Sequence, residues 1–348
     1  MLWNDIDDTE IKKNADYYQK ITNKLIRNLP SNPIVEELKF LVETFKEAMP
    51  IVEACRNKNL EPSHWEAIND LIPNGSIDIE QEGFTLQSLI DLDVNQFQDD
   101  IVAISRRATG EAKLKDDLKK LDNEWKDLVL VTIVYKERDG VYVLSGVDDL
   151  YTFLDENLAN INMIRGNQYK AVVEKEAEAL RKALVTMNSV TEDLLALQRS
   201  WMYLENIFSS NEIKRVLAPE AAMFEKIDTF FKSQLGQANK VQSAHKFISS
   251  KNAKLIEGLK SNNAQVEEIM KALANFLETK RGEFPRFNFL SDDELLEILA
   301  KQADPHAIQG FLKQLFDGLV KLDFGDQEGS TDAAGMMSRE GEGVTFKR

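Results

Sequence analysis

One cysteine, Cys55, stands in a chain of 348 residues. No internal disulfide framework can form, and this usage fits a reducing compartment. Positive charge is short as well. Lys and Arg number 43 against 59 Asp and Glu, giving a net charge of −16 and a pI near 4.8. Each neutralised phosphate needs a cation, so this balance argues against a broad nucleic-acid surface and against docking on an anionic membrane. Long hydrophobic runs are missing: nothing approaches the stretch of about 18 apolar residues that spans a bilayer. Met1-Leu-Trp3 is followed at once by Asn4-Asp-Ile-Asp-Asp8, which leaves no apolar signal core. The chain reads as soluble and intracellular.

Signatures of chemistry are also absent. There is no G-x-x-x-x-G-K-S/T phosphate loop and no G-x-G-x-x-G; the Gly341/Gly343 pair lacks a third glycine and a following helix. His64, His245 and His306 lie far apart, with no H-E-x-x-H pattern to assemble a zinc site, and read as packing or surface histidines. Asp91-Leu-Asp93 and Asp148-Asp149 lack calcium-loop spacing. Cys55, near a helix end, reads as an ordinary buried thiol. No catalytic, cofactor-binding or metal-ligating residue is assigned. The remaining carboxylates read as solvated helix faces.

What the sequence does have is apolar periodicity. Hydrophobic residues make up 43% and charged residues 29%, enough for a substantial core. Helical spacing predicts helices over 5–29 and 33–57, parted at Pro30-Ser-Asn-Pro33, and another through Trp65 and Ile68. A longer one over 92–128 carries Leu114, Leu118, Leu121, Trp125 and Leu128 in a local heptad pattern. Then the period changes. Val129–Tyr135 is β-branched and aromatic, Asp139-Gly140 turns, and Val141-Tyr-Val-Leu144 resumes, predicting a β-hairpin that needs a helical surface to lie on. Helices are predicted again over 147–164 and 168–208, the latter with a break near Asn188-Ser189. Others follow from Pro219 through Phe230, over 240–249 and over 253–280. Ser291 and Glu294 predict a capping box for the next, and the last runs from Asp304-Pro305 to about Leu322. Residues 325–348 read as a loose C-terminal segment. The expected fold is all-α: an elongated array of helical bundles with one inserted hairpin, organised as 1–128, 129–146, 147–324 and 325–348.

The most informative run is Gln198-Arg-Ser-Trp-Met-Tyr-Leu-Glu-Asn-Ile-Phe-Ser-Ser210, with Trp201, Leu204 and Phe208 on one helical stripe. Core packing accounts for such a stripe by itself. The order of the run goes further and resembles a signature of the linker region of dynein heavy chains. Ala48-Met-Pro50 and Ser63-His64-Trp65 resemble the family's proline-containing segment and Arg-His-Trp, with Ser63 in place of the arginine. Val143-Leu-Ser-Gly146, Asp148-Asp149 and Leu154-Asp-Glu156 continue the likeness, as do Glu212-Ile213 and Leu217-Ala-Pro-Glu220. Late in the chain, Phe284-Pro-Arg-Phe-Asn-Phe-Leu-Ser-Asp-Asp-Glu-Leu-Leu-Glu-Ile-Leu299, Asp304-Pro305 and Gly335-Met336…Ser338…Glu340-Gly-Glu342 are similar to family motifs.

The resemblance implies a fragment of a large motor lying before its first AAA+ module. ATP and magnesium would bind in the missing ring, and no cofactor in this part. The linker would be an arm that bends and straightens over the ring during the ATP cycle. Its partners would be the AAA+ ring of the same heavy chain, other dynein subunits and, through the missing stalk, microtubules. Leu290-Ser291 and Ser209-Ser210 resemble axonemal more than cytoplasmic heavy chains, implying a cilium or flagellum, with the cytoplasm as the alternative. A lever needs interlocked side chains, for which Trp65, Trp125, Trp201, Phe208, Phe230, Phe287 and Phe289 are the candidates. Signature residues complete the set: Tyr203, Leu204, Glu205, Phe284 and Pro285. Bends are expected at Asn188-Ser189, Pro219 or Gly282–Pro285. The competing reading is a static helical scaffold or protein-interaction rod.

Overall fold

The computed structural model describes residues 3, 8–30, 32–73, 75–79, 83–92, 94–249, 252–301, 304–325 and 331–347. It is an all-α fold with two small antiparallel sheets. The chain forms two compact units, one from residues 1–122 and 159–180, the other from 123–158 and 181–348. Among the described residues no helix is long and apolar enough to cross a membrane.

In the first unit, α1 (Asp8–Asn28) and α2 (Pro33–Cys55) form a helical hairpin. Asn32 caps α2 by accepting from the Ile34 N–H at 2.9 Å, and Pro33 supplies a first-turn residue whose missing N–H costs nothing there. Short helices α3 (Pro62–Asn69) and α4 (Leu86–Asp91) close over a core of Ile51, Val52, Ile68, Leu89 and Ile101, with Trp65 half-buried against it. The helix predicted over 92–128 begins later: a 3-10 turn, Val94–Phe97, precedes α5 (Gln98–Asp127).

His64 is buried, and the structure gives it a definite job. Its Nδ1 accepts the Glu61 N–H at 3.0 Å, which leaves Nε2 to carry the proton toward Glu111 Oε2, 3.0 Å away. Cys55 is buried too, and that burial pushes its thiol up to about 12, so it is inert rather than nucleophilic.

Helix α6 (Val147–Gly166) and helix α7 (Glu174–Ile207) follow the β-hairpin, made of β1 (Thr132–Val134) and β2 (Tyr142–Leu144). Helix α7 runs unbroken through Asn188-Ser189, where a break is predicted. The Asn188 amide donates to Glu192 one turn on (2.9 Å), and the Thr191 hydroxyl to the Met187 carbonyl (2.8 Å), so these polar groups are satisfied within the helix. The second unit continues with α8 (Asn211–Val216), α9 (Ala218–Val241), α10 (Ala244–Ser249) and α11 (Asn252–Glu283). After a 3-10 turn at Pro285–Phe289 comes α12 (Asp292–Ala300), opened by the predicted capping box: Glu294 N–H to Ser291 Oγ and Ser291 N–H to Glu294 Oε2. At Gly258 of α11 an added Cβ would lie 2.6 Å from the Phe230 ring, which sets how closely α9 and α11 approach.

The described part of the C-terminal segment departs from expectation; residues 326–330 and 348 of the stretch predicted to be loose lie outside the described residues. The helix predicted to reach Leu322 stops at α13 (Leu312–Leu315), and Gly318, at φ 82°, turns the chain into β3 (Leu319–Asp323). The segment predicted to be loose then supplies β4 (Gly335–Ser338) and β5 (Gly343–Thr345), in the order β3-β4-β5. The Gly-Met-x-Ser-x-Glu-Gly-Glu motif explains why a polar, glycine-rich stretch folds here. Gly335 sits so close to β5 that a Cβ would meet the Val344 carbonyl oxygen at 2.8 Å. Ser338 accepts the Glu342 N–H on its hydroxyl at 3.1 Å, and Gly341 takes φ 89° in the turn.

Candidate functional site: the junction of the hairpin with helices α7 and α9

The signature run forms the C-terminal end of α7 and the turn that follows it. Gln198, Trp201, Glu205 and Phe208 recur at helical spacing and turn one face toward the β-hairpin and α9. Gln198 is buried and acts as a substitute strand. Its Oε1 accepts the Leu144 N–H at 2.7 Å, and its Nε2 donates to the Leu144 carbonyl at 3.1 Å. The outer edge of β2 is thus closed by a side chain that reproduces both ladder bonds.

Trp201, fully buried, stacks on Phe231 with ring centroids 4.5 Å apart and meets the edge of Tyr135 at 5.1 Å. Its indole N–H donates to Asp228 Oδ1 at 2.9 Å, and Lys232 holds the other carboxylate oxygen at 2.7 Å. Two turns on, Phe208 stacks on Phe224 at 5.2 Å. Leu204 is fully buried between these layers in sequence.

Glu205 reaches back to the tip of the hairpin, accepting from Lys136 at 3.1 Å and from Arg138. Burial alone would raise its carboxyl. The hydrogen bonds and charges of Arg138 and Lys136 outweigh that and hold it below the ordinary 4.5. The tip needs holding. Lys136 and Glu137 both have positive φ, 48° and 57°, a conformation that costs non-glycine residues about 1–2 kcal/mol each. The Asp139-Gly140 turn predicted from sequence is present, with Gly140 at φ 83°. The preceding turn at Lys136-Glu137 was not legible, because neither residue type signals it.

The other sequence candidates fall elsewhere. Trp125 is buried against His245, ring centroids 5.9 Å apart. Tyr203 is half-buried beside Asp293 of α12, and its hydroxyl is pushed up to about 12, first by burial and then by that carboxylate. Phe284 packs edge-on to Phe287 at 4.9 Å, and Arg286 lies over the Phe316 ring at 4.5 Å. Pro285 is exposed at the start of its 3-10 turn. Phe289, predicted to lock helices together, is 68% exposed, and its neighbour Leu290 is the buried residue. On α9 the half-buried Phe230 gives way to Phe231 as the core residue, since Phe224, Ile227, Phe231, Leu235 and Ala238 hold the apolar stripe. Read with that stripe, the sequence could have favoured Phe231. Among the described residues no three His, Cys, Asp or Glu side chains gather as a metal site.

The family described as dynein heavy chain, N-terminal region 2, matches residues 1–348. This chain belongs to the dynein heavy chain family. It is 35% identical over 345 residues to human dynein axonemal heavy chain 6, covering 94% of this chain and 8% of that protein. It is 33% identical over 346 residues to the dynein-1-beta heavy chain of the flagellar inner arm I1 complex of Chlamydomonas reinhardtii, covering 98% and 8%. With mouse dynein axonemal heavy chain 2 it shares 34% over 316 residues, covering 90% and 7%. This dynein heavy-chain region therefore spans less than a tenth of the length of the relatives it matches.

Proposed function

We propose that this segment is the mechanical linker of a dynein motor, an arm that bends and straightens over an AAA+ ring as ATP is turned over. The observation that carries the reading is the family match along the entire chain. The junction of the hairpin with α7 and α9 supports it physically. Force passes through a body without loss only if its parts cannot slide, and here one helix face bonds a strand edge, a hairpin tip and a neighbouring helix. In this reading the segment performs no catalysis; ATP and magnesium belong to the ring, and microtubules are reached through the stalk. Other dynein subunits are partners of the assembled motor. The axonemal names of the relatives place the protein in a cilium or flagellum.

The test uses the full-length heavy chain with one fluorophore on exposed Val185 of α7 and another on the ring. Distances that change between nucleotide-free, ATP-bound and ADP-bound states are expected. Distances unchanged across all states would end the lever reading and leave a static scaffold.

A further inference from the structure

The C-terminal sheet is closed on one edge and open on the other. The outer edge of β3 is capped by Gln309, whose Oε1 accepts the Leu322 N–H at 3.0 Å and whose Nε2 donates to the Leu322 carbonyl at 2.7 Å. No such cap serves β5 among the described residues. Phe346 N–H bonds the Ala334 carbonyl and Ser338 N–H the Glu342 carbonyl, so Val344, paired with Met336, also faces β4. By the alternation of an antiparallel ladder, the backbone groups of Gly343 and Thr345 point away from β4, and both residues are exposed.

One face of this sheet is also unfinished. Leu322, Met336, Val344 and Phe346 share a face and line a groove of about 600 Å³, opposite Leu312 and Phe316. Val344 and Phe346 remain 51% and 41% exposed there. An open edge beside an exposed apolar face is the geometry that accepts an added strand.

The family description and the relatives say what could fill it. The matched region is N-terminal, and it accounts for 8% of the human relative, so most of that protein's length lies C-terminal to it. Phe346 itself lines the groove, so a chain continuing past β5 starts at the open edge. We propose that the polypeptide following this segment in the same heavy chain returns as an extended strand beside β5, seating an apolar side chain in the groove at every second residue. The inference rests on family membership and is independent of whether the arm bends.

The test is photo-crosslinking in the full-length heavy chain. A benzophenone amino acid replaces Val344, which faces the groove, or Met337, which is 43% exposed on the opposite face. The expected result is a cross-link from position 344 to the stretch directly following this segment in the same chain, absent from position 337. A cross-link from 344 to another subunit or to a distant part of the heavy chain would overturn the proposal, and so would no cross-link. Equal capture from both positions would overturn it too. Backbone pairing is read separately by hydrogen exchange on the same full-length chain: amides of Gly343 and Thr345 should exchange at least about 100-fold more slowly than in an unstructured peptide. Exchange at the unstructured rate would refute the added strand. A failure of the nucleotide-dependent distance change would leave both readouts untouched.

Discussion

Two β elements in this segment, both tied to family motifs, each have one edge closed by a glutamine amide, and they differ in what holds the rest. The hairpin β1–β2 has its outer β2 edge filled by the Gln198 amide, and its tip is clamped by Glu205. The sheet β3-β4-β5 has one edge filled by Gln309 and leaves the other bare, with apolar side chains still in water. The difference separates a finished joint from an unfinished one. Where the capped strand and the hairpin tip are both bonded to one helix, the element belongs to the rigidity of the body. Where one row is left over, the element is built to receive more chain.

The contrast can be attacked first at its strongest point. Trp201→Ala removes a fully buried ring that stacks on Phe231 and bonds Asp228, and should cost about 3–5 kcal/mol in chemical denaturation. Trp201→Phe keeps the stack but strands the Asp228 oxygen, so its loss should be smaller. An unchanged midpoint in the alanine variant would remove Trp201 from the joint. Next comes Gln198→Ala, which orphans the buried N–H and carbonyl of Leu144. At about 1–3 kcal/mol for each of the two unsatisfied groups, a loss of roughly 2–6 kcal/mol is expected. If Gln198→Ala were neutral, water would be serving the β2 edge, and the two sheets would no longer differ.

Gly335→Ala tests the other side. A Cβ facing the Val344 carbonyl oxygen at 2.8 Å must push β4 and β5 apart, an overpacking cost of about 1–3 kcal/mol. The effect should stay local: faster hydrogen exchange at 335–338 and 343–345, with the near-UV signal of Trp201 unaltered. A change in the Trp201 signal would mean that the two elements are coupled, against the division drawn here.

Much of this was legible in the sequence, and each exception has its own physical cause. Helices with strong apolar stripes, the Asp139-Gly140 turn and the Ser291–Glu294 box are local signals, and the structure contains them. Asn188-Ser189 misled because residues that compete with helix bonding can also be satisfied inside one. The C-terminal sheet was hidden because its strands are short, and its glycines serve close approach and positive φ rather than looseness. Phe289 was misplaced because aromatic character does not say which way a 3-10 turn faces. Gln198 could not have been read at all. A buried glutamine earns its place only through Leu144, 54 residues away, and no local pattern reports a partner at that distance.

The smallest expected effect concerns the clamp on the hairpin tip. Glu205 is ionised and held below its ordinary 4.5 by Arg138 and Lys136, both of them substantially exposed. A depressed carboxyl adds stability that is fully present above the ordinary value and is lost as pH falls through the folded-state value. Solvent screening limits the amount to below about 1 kcal/mol. Glu205→Gln should therefore shift the denaturation midpoint slightly at neutral pH and flatten its decline in acid, converging with the parent once Glu205 is protonated in the parent's folded and unfolded states alike. Parallel curves for parent and variant down to about pH 3 would show that the ion pairs contribute nothing measurable. The left-handed backbone at Lys136-Glu137 would then be held by the surrounding packing, with Gln198 and Trp201 alone joining the hairpin to α7.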